Sequence, residues 1–164
     1  MHVVERSRAK AMASVLGCAL FIVASLAIVA QGSAVTLLVG TAGIVTFAGF
    51  GTAWIVLLLR AGPGLVVDDT GFDDRSSATA VGRVQWADVT SVSRQVMFGV
   101  SFVVVDVRDP DTYLARLGPV ARPAAAANRR LTGSPVTVTS VGLKISFPEL
   151  SMLLRESFEQ HHLT

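Results

Sequence analysis

Residues 11–30 read AMASVLGCALFIVASLAIVA and residues 34–59 read AVTLLVGTAGIVTFAGFGTAWIVLLL, with only Gln31-Gly32-Ser33 between them. No Asp, Glu, Lys, Arg or His occurs between Lys10 and Arg60. A helix that crosses the roughly 30 Å hydrocarbon core of a bilayer needs about 20 apolar residues. The first run has 20 and the second has 26. The longer one can tilt or leave its ends among the headgroups. Backbone groups in hydrocarbon must be satisfied within their own segment, so both runs are expected as helices. Two consecutive uncharged stretches of this length are more than a small globule needs for its core. A cleaved leader fits less well, because 20 residues exceed an apolar leader core of about 7–15 and Ile28-Val29-Ala30 is not a small-x-small site. The expectation is a two-helix transmembrane hairpin.

Arg6, Arg8 and Lys10 precede the first run against a single Glu5, and Arg60 closes the second. Lys and Arg flanks mark the cytoplasmic side. Both termini are therefore expected in the cytoplasm of a multi-pass inner (plasma) membrane protein, with the turn at 31–33 outside. Trp54 stands one to two turns before Arg60, where an interfacial anchor belongs. Ala42, Thr46, Gly49 and Ala53 repeat at spacings of four, three and four, a small-residue stripe suited to helix packing. Ala13 and Gly17 offer a similar pair in the first run, and a homo-oligomer assembled through the spans is one expectation. Cys18 reads as a small apolar residue inside the first span.

The chain has 164 residues, 51% hydrophobic and 16% charged, where soluble domains average about a quarter charged. Mean hydropathy is +0.57. These figures exclude a disordered chain. One cysteine excludes a disulfide scaffold, and the length excludes a large multidomain enzyme. Residues 60–164 hold 11 basic and 11 acidic side chains, so the net +2 comes from the N-terminal arm. The pI near 9.2 is then no argument for nucleic acid.

The remainder reads as one small domain. Ala61-Gly62-Pro63-Gly64 is a linker signal. Strands are expected at Leu65–Asp68, Phe72–Ser77, Gly82–Trp86, Val89–Met97, Ser101–Val107 and Val136–Thr139, and another at Gly142–Ile145. Thr70-Gly71 reads as a hairpin turn, with glycine for its backbone freedom. Asp109-Pro110 caps a short helix that Gly118-Pro119 stops. Pro123–Leu131 is either a second helix or a loop. Ser146-Phe147-Pro148-Glu149 is a capping box, followed by an apolar stripe of Phe147, Leu150, Leu154 and Phe158. Strands closed by a terminal amphipathic helix suit a small β-barrel or rolled sheet. The domains expected are a basic arm at 1–10, spans at 11–30 and 34–59 joined by the turn at 31–33, a linker at 60–64, and the mostly-β domain at 65–164.

Several motifs carry a resemblance. Pro63-x-Leu65-x-Val67-Asp68-x-x-Gly71-Phe72-Asp73-Asp74 comes first, then Gly82-x-Val84-x-Trp86-x-Asp88-Val89. Asp109-Pro110-x-x-Tyr113-Leu114, Asn128, Gly133-x-Pro135-Val136 and Ser146-x-x-Glu149-Leu150 follow. In this order, behind two N-terminal spans, the chain resembles an uncharacterised family of small bacterial membrane proteins. Their cytoplasmic part is similar to a pleckstrin-homology-like domain. The resemblance implies a β-barrel capped by a C-terminal helix, and no reaction, cofactor or catalytic residue. The Ala-rich stretch Arg122–Arg130 departs from it.

Signs of chemistry are few. Asp69-Thr70-Gly71 matches the core of an aspartic protease motif, whose carboxylates work in pairs. Here a bulky Phe72 follows the glycine, and a turn explains the triplet equally well. His2, His161 and His162 lie at the chain ends, so a Ser-His-Asp or Cys-His site is not expected. No Cys/His spacing suits zinc, and Asp68, Asp69, Asp73 and Asp74 lack a calcium-loop pattern. No catalytic, cofactor-binding or metal residue is expected. Arg116, Arg122, Arg129 and Arg130 share a segment without acid. Next to an anionic leaflet each basic residue gains about 1 kcal/mol. The expected function is thus non-enzymatic: a binding domain held at the membrane, with the lipid bilayer and either a protein or anionic lipid headgroups as partners, and no nucleic acid. A dimeric aspartic-type hydrolase using Asp69 is the alternative, and a structural oligomer the third reading.

Overall fold

The protein is described by a computed structural model covering residues 1–59, 62–97, 99–119 and 121–162. Arg60, read above as the basic flank of the second span, lies outside the described residues, as do Ala61 of the linker and the last two residues of the C-terminal domain. The chain forms two compact units, Ser7–Ala61 and Met1–Arg6 with Gly62–Thr164.

The first unit is a helical hairpin. Helix α1 covers Arg8–Val29 and α2 covers Ala34–Leu59. Both are long and apolar enough to cross a membrane. Helix α1 begins three residues before the apolar run because Ser7 caps it, accepting from Lys10 N at 3.3 Å. At the turn, Ser33 Oγ accepts from Thr36 N (3.2 Å) and Thr36 Oγ1 accepts from Ser33 N (3.1 Å), a reciprocal cap that starts α2.

The helices meet along Gly51 against Cys18, Phe47 stacked on Phe21 at 4.4 Å, and Gly40 and Gly43 against Ser25 and Val29. A Cβ at Gly40 would run into Val29 and the Ser25 carbonyl, and one at Gly43 into the Ser25 hydroxyl. These glycines therefore set the approach of the two backbones. The stripe expected to do this does not. Ala42, Thr46 and Gly49 are exposed on α2, Ala53 is half-buried, and nothing lies within 4 Å of a Cβ built on Gly49. Nor do the partners expected on α1 take part, since Ala13 is exposed and a Cβ on Gly17 would meet nothing. The physical reason is a choice between two rows on one helix, 40-43-47-51 and 42-46-49-53. Both have helical spacing, and the row with more glycine allows the closer contact.

The second unit contains two antiparallel sheets. In the first, β1 (His2–Val4), β2 (Leu65–Asp68), β3 (Gly71–Asp74) and β4 (Gly82–Gln85) lie in sequence order. Strand β1 corrects the reading of residues 1–10 as an arm. Its three residues pair with β2, His2 with Val67 and Val4 with Leu65. The chain thus leaves the sheet at Val4, makes the helical hairpin, and returns at Leu65 beside the point of departure. A 3₁₀ turn at Trp86–Asp88 follows β4. The second sheet is β5 (Val89–Met97), β6 (Val100–Val107) and β7 (Val136–Val138). Among the described residues the two sheets do not close into a barrel, so the expected barrel is replaced by two separate sheets. Residues 142–145 are not a strand either. Leu143 forms a single bridge to Arg6 instead.

Helix α3 (Pro110–Ala115) is capped by Asp109, and α4 (Ala121–Thr132) settles 122–131 as a helix. Gln95 Nε2 donates to Thr132 O at 3.3 Å and Asn128 Nδ2 to Thr137 Oγ1 at 3.4 Å, so α4 lies along the second sheet. Helix α5 (Phe147–His162) starts at the expected capping box, where Glu149 accepts from both Ser146 N and Ser146 Oγ. Leu150 and Leu154 join Leu65, Val67, Phe72, Val84, Trp86, Val103 and Val105 in one core. Trp86 is its largest side chain; it packs on Phe72 at 5.3 Å and donates Nε1–H to Asp68 O at 2.9 Å.

Candidate functional site

Three places gather polar chemistry. The first is the β2–β3 turn, where the protease-like triplet lies. Asp68 Oδ1 accepts from Thr70 N (2.9 Å) and Gly71 N (3.1 Å), the closure of an Asx turn. Arg83 on β4 grips both Asp68 oxygens at 2.7 Å. This guanidinium holds the Asp68 carboxyl well below the usual carboxylate range. Gly71 is required for space and not for turn freedom. Its φ is not positive, and a Cβ there would strike the Val84 carbonyl of the neighbouring strand. Asp69 stands exposed. It shares a groove of about 410 Å³ with Met1, His2, Asp68, Ser157 and His161. Asp-Thr-Gly is here a turn clamped by Arg83, with its first neighbour, Asp68, committed to an ion pair.

The second place is α3 with α4, which carries the four arginines. Arg116, at the end of α3, lies over the Tyr113 ring at 4.5 Å and donates to Arg83 O at 3.2 Å. Arg129 pairs with Asp111 of α3. The segment free of acid in the sequence thus has an acid beside it in space. Arg122 and Arg130 are exposed and form no ion pair among the described residues. Arg122 and Arg129, seven residues apart, share a helix face, while Arg130 is rotated by about 100°. Tyr113 donates its hydroxyl to Asp88 Oδ2 at 2.7 Å, fixing α3 to the 3₁₀ turn. Burial pushes the Tyr113 phenol up, and Asp88 adds to the effect.

The third place is the junction from which the chain departs for the helices. Asp74, at the end of β3, is buried at 2% exposure. Its Oδ1 accepts from Ser76 N at 2.8 Å. Burial pushes its carboxyl up to about 6, opposed by hydrogen bonding from Ser76 and by the charge of Arg6. Sequence reading missed this group. In the sequence Asp74 is one of four closely spaced acids, and Arg6 one of three basic residues ahead of the first apolar run. The available signal was the alternation of β3, which puts Asp74 on the same side as Phe72.

Among the described residues no three Asp, Glu, His or Cys side chains converge as metal ligands would. Comparison with known proteins gives no match, whether to a family model, a curated protein or a solved structure.

Proposed function

We propose that this chain is a non-enzymatic integral membrane protein that presents a pleckstrin-homology-like binding domain at the cytoplasmic face of the membrane. One observation carries the reading: β1, which precedes the first apolar helix, pairs with β2, which follows the second. If both helices span the bilayer, the sheet can form only when both flanks lie on the same side. The basic residues at 6, 8 and 10 favour the cytoplasm for that side. Seven antiparallel strands in two sheets with a C-terminal helix support the pleckstrin-homology-like kinship. Domains of this kind work through surfaces and need no reactive centre. The partner surface is α4, where Arg122 and Arg130 are free to meet anionic lipid headgroups.

A water-soluble version tests this. Residues 1–6 would be joined through a short Gly-Ser turn to residues 62–164, replacing the helical hairpin and keeping β1. Flotation with anionic vesicles at low salt, lost at high salt and in an Arg122→Gln/Arg130→Gln variant, is the expected result. Absence of flotation with anionic vesicles would overturn the lipid reading and direct the search to a protein partner by crosslinking in native membranes.

A further inference from the structure

Residues 95–105 read QVMFGVSFVVV, with no charged side chain; Phe98 lies outside the described residues. Strands β5 and β6 stay paired out to Met97 and Val100. Strand β7 pairs only with Val103–Val105 of β6. The hairpin therefore runs on past β7 as two strands. Along it side chains alternate between two faces. Arg94, opposite the core residue Val103, and Val96 continue the face on which Val92 packs against the core. Both are exposed, Val96 at 73%. Gln95 and Met97 belong to the other face, where Gln95 donates to Thr132 O of α4 at 3.3 Å. A hairpin that leaves its sheet in water is ordinarily polar on the solvated face. This one ends apolar on both, with Val96 on one and Met97 beside its register partner Val100 on the other.

The charge around this end is basic. Leu131, next to Thr132 on α4, is 58% exposed, and Arg130 beside it is exposed as well. Neither residues 89–105 nor residues 112–148 contain an Asp or Glu, while they carry Arg94 and the arginines of α4. Asp106, the acid that follows the apolar run of β6, is engaged by Ser91 Oγ at 2.6 Å, at the other end of the hairpin.

We propose that the β5–β6 tip is an apolar wedge that enters an anionic lipid leaflet beside the arginines of α4. The inference rests on the lipid reading of α4 given above and adds a hydrocarbon contact to it. An apolar end accompanied by cations matches a surface with anionic headgroups over hydrocarbon. Entry end-on also covers both faces of the hairpin, whereas a second copy docked along one face covers Val96 or Met97 and not both. The wedge is small, so its entry follows the electrostatic contact and is lost with it at high salt.

The test uses the full chain, as Cys18→Ser, in vesicles of phosphatidylglycerol with phosphatidylcholine or of phosphatidylcholine alone. A single environment-sensitive fluorophore is placed on Val96→Cys, on Met97→Cys, on Ala127→Cys of α4, or on Glu156→Cys of α5 as an exposed reference. Labels at 96 and 97 are expected to be quenched by spin-labelled lipid in the anionic vesicles and not in the neutral ones, and the label at 127 to be shielded there from aqueous acrylamide. The label at 156 should stay open to acrylamide in both. Arg122→Gln/Arg130→Gln should lower the equilibrium constant for entry by about thirtyfold, the effect of two basic residues at an anionic surface. If 127 is shielded in anionic vesicles while 96 and 97 are not quenched, the wedge is overturned and the lipid reading of α4 stands. If none of the three responds, both fall. A response of 96 or 97 alone, or shielding that rises with the protein-to-lipid ratio in neutral vesicles, marks a second copy on the hairpin and overturns the wedge.

Discussion

At the scale of single residues, the most informative group is Asp74. Its folded carboxyl titrates at about 6 against an ordinary 3.8. The folded state therefore binds the proton more tightly than the unfolded state. Between these values stability falls as pH rises, and the full cost of about 3 kcal/mol is present above pH 6. Asp74→Asn should flatten that slope and make the protein more stable than the wild type at pH 7.5. Thermal unfolding at a series of pH values checks this, and an unchanged slope would contradict the assigned burial. Asp68 and Asp69 separate in the same way. Asp68→Ala removes the turn acceptor and the ion pair of Arg83, a loss of about 1–2 kcal/mol. Asp69→Ala touches an exposed side chain and should stay within about 0.5 kcal/mol. Denaturant midpoints of the two variants distinguish them; equal losses would show that the turn is not built on Asp68.

At the scale of elements, legibility followed length and periodicity. Helix α2 matches its apolar run residue for residue, since 26 uncharged positions leave one reading. Helix α5 was marked by its capping box and its stripe, and β5 by a nine-residue run. Strand β1 was invisible, because three residues carry no alternation and their partner lies more than sixty positions away. Residues 142–145 were expected as a strand, yet the backbone makes only the Arg6–Leu143 bridge. The packing row of α2 was misread for a different reason. Spacing identified two candidate rows, and only the position of Ser25 and Val29 on α1 selects between them. Gly43→Leu should force α1 and α2 apart and lower the thermal stability of the hairpin by several degrees, whereas Gly49→Leu should leave it unchanged. Interhelical crosslinking between cysteines placed at Phe21 and Phe47 reports the difference. Equal effects would contradict the row described here.

At the scale of the whole molecule, the arrangement is a sheet interrupted by a helical hairpin. Leu65 continues where Val4 stopped, and Ser7–Ala61 between them form the helical unit. The candidate sites follow from this. The Arg6 junction stands at the end of the sheet where the chain departs, and the Asp68 turn at the other end. Neither was legible as a site, because each depends on groups far apart in sequence: Asp68 with Arg83, and Arg6 with Gly62 and Arg75. The arginine segment was legible as charge, but the pairing of Arg129 with Asp111 required the packing of α3 on α4.

The central claim is that both ends of the hairpin belong to one domain on one side of a membrane. Cysteine accessibility in sealed, oriented membrane vesicles tests it most directly. Single cysteines would be placed at His2, Ser33 and Ser157 in a Cys18→Ser background and exposed to a membrane-impermeant maleimide. Cysteines at His2 and Ser157 should react from the same side, the cytoplasmic one, and the cysteine at Ser33 only from the other. Reaction of all three from one side, or of His2 and Ser157 from opposite sides, would contradict it.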